Sequence, residues 1–184
     1  ANGHLHIYNH CLSNWMHEII QTRGLGAECA GYWASIPTLI GILGALFIPR
    51  MALPNLRFWI LAGLFIIAGT SVILLKSYSE PIILIGLALK GITQGSMMTI
   101  LLLILMEIPQ VGFRYAGSAG GMFFAAAEIG GVLGPLSLGL LSDYDEGFQS
   151  GLTMLSLVCI ILVVLVFLLK ILLTPQQHGI LTQK

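Results

Sequence analysis

Apolar residues fall into six runs along the chain, at 1–22, 27–48, 58–75, 82–106, 114–141 and 151–173. Each is of the length a helix needs to cross a hydrocarbon layer about 30 Å thick. Short turns separate them. Thr22-Arg23-Gly24-Leu25-Gly26 follows the first, a proline-bearing connection at 49–55 the second, 76–80 the third, 107–113 the fourth, and the acidic Asp143-Tyr144-Asp145-Glu146 the fifth. Pro81 stands where a proline can start a helix. Strand-like alternation is absent, and in lipid only helices and closed barrels satisfy their own backbone. The expected fold is therefore an all-α integral membrane protein, a six-helix bundle forming one transmembrane domain over 1–184.

Polarity sorts these runs with a period of three. The third and sixth are apolar nearly all round, as IILVVLVFLL within the sixth illustrates, and belong against lipid. The others carry polar or small-residue faces. Such a period predicts two three-helix repeats, each ending in a lipid-facing helix, and internal repeats of this kind are a feature of secondary transporters.

Composition agrees with this picture: 57% of residues are hydrophobic and only 9% charged, against about 25% charged in soluble domains. Formal net charge is zero, and no basic stripe suggests nucleic-acid binding. Cys11, Cys29 and Cys159 are widely spaced in apolar or helical runs and read as packing residues, neither a disulfide frame nor a metal site. No basic segment precedes an apolar core at the start, so no signal peptide is expected. Arg50, Arg57, Arg114, Lys170 and Lys184 fall on one side of the alternating spans and Arg23 and Lys76 on the other, which places the C-terminus in the cytoplasm of a plasma (inner) membrane.

Within so apolar a chain, charges deep in the spans stand out. Glu128 lies about 21 Å of helix rise from Arg114, near the middle of its span, where an ionised group costs roughly 3 kcal/mol or more. Lys90 lies about 5 Å from the middle of the fourth span and is read as sharing a face with Thr93, Gln94, Met97 and Leu101. One reading gives Lys90 an anionic solute to attract, with Glu128 exchanging a coupling proton or balancing the lysine when the site is empty. The other is a structural Lys-Glu pair. On the first span, His6, His10, Ser13 and His17 fall within about 60° of one another on a helix, with Asn9 and Asn14 widening the polar surface. The segment is either the end of a longer spanning helix that lines an aqueous cavity or an interfacial amphipathic helix; the spread of polarity to Asn9 and Asn14 favours the first, with solute contact through His10, His17 and Asn14. Metal binding is the lesser reading, because no cysteine or aspartate lies nearby in sequence to complete a site. Gly117-Ser118-Ala119-Gly120 resembles the serine-bearing turn of an intramembrane serine protease, but no histidine follows it until His178, so no catalytic residue, enzyme activity or cofactor is expected. Gly117, Gly121 and Ala125, like Gly130 and Gly134, form small-xxx-small ladders whose plain meaning is close helix packing.

Taken together, Gly130, Gly134, Pro135, Gly139 and Asp143 stand as G-x-x-x-G-P-x-x-x-G-x-x-x-D, similar to the penultimate helix of major facilitator superfamily transporters. Tyr8-Asn9 with Trp15 resembles the opening helix of the C-terminal half of that family, and Glu28-x-x-Gly31 its second helix. The connection after the second span departs from the pattern: GALFIPRMALPNLR keeps Gly44, Arg50 and Arg57 but has no aspartate. The resemblance implies a C-terminal six-helix half whose N-terminal half is missing, supplying one wall of a cavity. It also implies secondary active transport of a small polar or anionic solute by alternating access, with a proton or other coupling ion and the lipid bilayer as further partners. The alternative is a stand-alone six-helix membrane protein acting as an interaction subunit.

Overall fold

The computed structural model describes residues 2–54, 56–108, 111–143 and 148–181; for 2–4, 112–114 and 172–181 it describes the backbone only. Six helices make up the described chain: α1 (Asn2–Gln21), α2 (Ala27–Met51), α3 (Arg57–Leu74), α4 (Glu80–Glu107), α5 (Gly112–Ser142) and α6 (Gln149–Leu181). No strand occurs among the described residues, and the protein is an all-α membrane protein. Five helices, α2 to α6, are long and apolar enough to cross a membrane. In α1 the histidines and asparagines dilute the apolar residues. Tyr144 to Glu146 of the acidic turn, Lys184, and the side chain of Arg114 lie outside what is described.

Local chemistry explains where the helices stop. Gly24 adopts a φ of +96°, a conformation that favours glycine, and its N–H donates to the Gln21 carbonyl to close α1. Pro81 occupies the first turn of α4, where a missing N–H costs nothing. Two ends differ from the sequence expectation. Pro49 does not begin the connection after the second span, because α2 runs through it to Met51. A proline late in a helix disturbs only the turn before it, and here few residues remain for that to matter. The sixth run, read as ending at 173, continues as α6 to Leu181, and Gln176 and Gln177 are good helix formers.

The helices assemble with the expected offset of three. α2 packs along α4, α5 along α1, and α3 against both α4 and α6. Exchanging the first three helices with the last three maps the first two packings onto each other. α1 runs through the bundle, with Leu5, Tyr8, Leu12, Met16 and Ile19 buried, three or four residues apart as one helical face requires. The Tyr8 hydroxyl lies 3.0 Å from Ser71 Oγ on α3 and 3.4 Å from Thr93 Oγ1 on α4, so one side chain ties three helices.

Close approach of α2 and α4 depends on glycine. A Cβ at Gly95 would stand 2.1 Å from the Gly41 carbonyl oxygen, and one at Gly91 2.6 Å from that of Pro37. Only residues without side chains let these backbones touch. On α6, Leu157, Ile160, Ile161, Val164, Phe167, Leu168 and Ile171 are exposed, the surface an outer helix gives to lipid.

Candidate functional site

Lys90 sits on the face of α4 that meets α1 and is 2% exposed. Its ammonium donates to Ser13 Oγ on α1 at 3.2 Å and to Gln94 Oε1, one turn along α4, at 2.6 Å. The Gln94 contact follows from its i,i+4 spacing. Both acceptors are neutral, and no carboxylate lies within ion-pair distance of Lys90 among the described residues. A buried cation satisfied only by neutral dipoles remains costly until an anion joins it.

The Lys-Glu pair considered from sequence does not form. Glu128 is exposed on α5, and its described electrostatic neighbour is His6. The carboxylate at the end of α4, Glu107, pairs with Arg57 at the start of α3, 2.5 Å away, at the far end of α4 from the Pro81 turn.

Thr93 parts company with Lys90 and Gln94. It is fully buried, its hydroxyl donates to the Lys90 carbonyl at 2.8 Å, and it receives the Tyr8 contact. It lies about 60° around the helix from Lys90, which turns it from the half-buried Gln94 edge into the interior. The Tyr8–Ser71–Thr93 knot was not apparent in the sequence; the one sign was a hydroxyl pair, Thr70-Ser71, in a span otherwise apolar. Ser13 was visible as part of the histidine face, though not as the acceptor for Lys90.

On α1 the polar face stays together. Ser13 and Asn14 are exposed, and Asn9, His10 and His17 are partly so. His6 and His10 stack with ring centroids 5.3 Å apart and planes 23° apart, and His17 Nε2 lies 2.6 Å from Gln21 Nε2. His10 also lies over Gly131 of α5, whose Cβ, were there one, would meet the ring at 3.4 Å. Five residues further, the Trp15 indole donates to the Pro135 carbonyl at 3.1 Å and covers Gly139. His10, Asn14 and His17 thus share a surface with Ser13, through which Lys90 is reached, while Glu128 borders it from α5. That surface offers neutral hydrogen-bonding groups above the buried Lys90 ammonium.

What these elements define is an integral membrane bundle with a polar, charged inner face. No family model matches the chain. The chain is similar to a quinolone resistance transporter of Acinetobacter baumannii, with 28% identity over 171 residues. The match covers 90% of this chain and 38% of the relative, so the chain spans well under half of that protein's length.

Proposed function

We propose that this chain is the C-terminal six-helix half of a major facilitator-type secondary transporter, moving a small polar or anionic solute by alternating access. It carries out no covalent chemistry. The observation that carries this reading is Lys90: a cation 2% exposed, held by Ser13 and Gln94 and facing no carboxylate among the described residues. A purely structural lysine in lipid would be expected to have a counter-ion beside it. An incoming solute carboxylate would replace the two neutral acceptors and relieve the buried charge. The relative's name adds a solute class, since quinolones bear a carboxylate. The helix pairings α2 with α4 and α5 with α1 are those of two three-helix units, and the basic residues favour a cytoplasmic C-terminus in the plasma membrane.

Uptake or efflux of a quinolone and of its methyl ester, measured in proteoliposomes of the full-length protein, tests the role of Lys90. A hydrogen bond to a charged group contributes about 1.5–3 kcal/mol, so Lys90→Gln should weaken handling of the acid roughly 10- to 100-fold and leave the ester nearly unchanged. Lys90→Arg keeps the charge and should recover part of the loss. Equal affinity and rate for the acid in wild type and Lys90→Gln would remove the assignment.

A further inference from the structure

An ammonium can only donate, so whatever it touches must accept. Lys90 Nζ therefore fixes the orientation of both side chains that cover it, taking Oγ of Ser13 at 3.2 Å and Oε1 of Gln94 at 2.6 Å. What those side chains have left is of one kind: the Ser13 O–H and the two N–H bonds of Gln94 Nε2 are all donors. None of them finds an acceptor among the described residues. Ser13 differs in this from other serines of the bundle. The hydroxyls of Ser71, Ser96, Ser137 and Ser156 donate to a carbonyl of their own helix, as serine in a helix can, whereas that of Ser13 makes no such bond. Ser13 is exposed and Gln94 half-buried, while Lys90 beneath them is 2% exposed.

We propose that Ser13 and Gln94 form a donor-only cover over Lys90, which admits carboxylates and other acceptor groups and turns away ammonium groups. This selection deepens the transport reading and rests on it. The lysine acts from beneath. By drawing on the two oxygens it polarises the O–H and N–H bonds that face away from it, because hydrogen bonds in a chain strengthen one another. A carboxylate has two oxygens with room for about four hydrogen bonds. It can take the Ser13 and Gln94 donors first and then the ammonium, which exchanges two neutral acceptors for a charged one. An ammonium group arriving at the same place meets donors, no acceptor and a like charge. The rest of the polar face carries no such restriction, since Asn14 and His10 can each donate or accept. Polarity is therefore general along α1, and the discrimination sits where α1 meets α4.

A thiol reporter reads the cover without any solute. In full-length protein in nanodiscs, Asn14→Cys places the thiol beside Ser13, and Cys29→Ser removes the cysteine that is exposed among the described residues. The anionic reagent sulfonatoethyl methanethiosulfonate should modify this thiol faster than the cationic trimethylammonioethyl reagent, by a ratio about tenfold above that for free cysteine, as one hydrogen bond to a charged group supplies. Adding Ser13→Ala should remove most of the preference. No preference, or one indifferent to Ser13→Ala, would overturn the cover.

Binding of a quinolone acid gives the second measurement. Its affinity should fall about tenfold in Ser13→Ala and return in Ser13→Thr, which keeps the hydroxyl. Because Ser13 and Lys90 serve one carboxylate, Ser13→Ala should cost less in a Lys90→Gln background than alone. Full additivity, or unchanged affinity in Ser13→Ala, would overturn the cover and leave Lys90 in its role. Failure of the wild type to bind the acid would instead overturn the transport reading, and the thiol rates would still decide whether Ser13 and Gln94 select anions.

Discussion

Two helix crossings related by the offset of three, α2 on α4 and α5 on α1, are built from different materials. In the first, glycine faces glycine: Gly41 and Gly44 of α2 meet Gly91, Gly95 and Ser96 of α4, and the backbones touch. In the second, the glycines described in close contact lie on α5, and α1 answers with the Ile7 backbone at Gly134 and with the side chains of His10, Cys11 and Trp15. The same architecture therefore yields one seam made almost wholly of backbone and another that joins a tight backbone approach at Gly134 to side chains able to turn or hydrogen-bond. Polar side chains gather at the second seam and near α4, where Lys90 reaches Ser13. The first holds that lysine's helix in place.

The sharpest way to break this contrast is a methyl group in the rigid seam. In Gly95→Ala the new Cβ would stand 2.1 Å from the Gly41 carbonyl, a backbone atom that cannot rotate away. Overpacking of this kind costs about 1–3 kcal/mol and occasionally more, and this site should lie at the top of that range. Loss of monodisperse protein on size-exclusion chromatography, or a large drop in apparent Tm in detergent, is the expected outcome. Unchanged thermal stability would mean that α2 and α4 do not touch there.

At the second seam the same experiment should cost less. Gly139→Ala places a Cβ 2.9 Å from Trp15 Cζ2, the outer edge of a ring that can tilt. A loss of roughly 1 kcal/mol is expected, at the low end for overpacking. Trp15→Phe should relieve the clash in the double variant, so the two effects should not add. By itself Trp15→Phe removes the indole donor to Pro135, a hydrogen bond contributing about 0.5–1.5 kcal/mol. Additive losses measured by thermal unfolding would show that Trp15 and Gly139 do not share this contact.

How far the sequence could foretell these seams depends on what each is made of. Run length and turn residues were sufficient for six helices, because in lipid a span must satisfy its own backbone and a helix does so locally. Lys90 and Glu128 were visible because charge is rare there. Gln94 was legible as a neighbour of Lys90 on the same face, but partners on other helices were not, since helix rise fixes depth along a span and says nothing of rotation about a neighbour. Hence Lys90 turned out to meet Ser13 and Gln94, Glu128 to border His6, and Thr93 to join Tyr8 in the interior. The glycine ladders were legible as a class, yet which rungs carry load was not: Gly134 packs on α1, whereas Gly117 and Gly121 have open space where a Cβ would be.

That last distinction supplies the smallest effect, with the opposite sign. Gly120 lies in the same stretch of α5 with nothing within 4 Å of its missing Cβ, and its backbone is helical. Alanine there meets no atom and reduces the freedom of the unfolded segment, a gain of about 0.5–1 kcal/mol in a helix interior. Gly120→Ala should raise the apparent Tm slightly while Gly95→Ala lowers it steeply. A loss at Gly120 would show that this face of α5 is covered by something larger than lipid, which would place a second packing surface on the helix that carries Glu128.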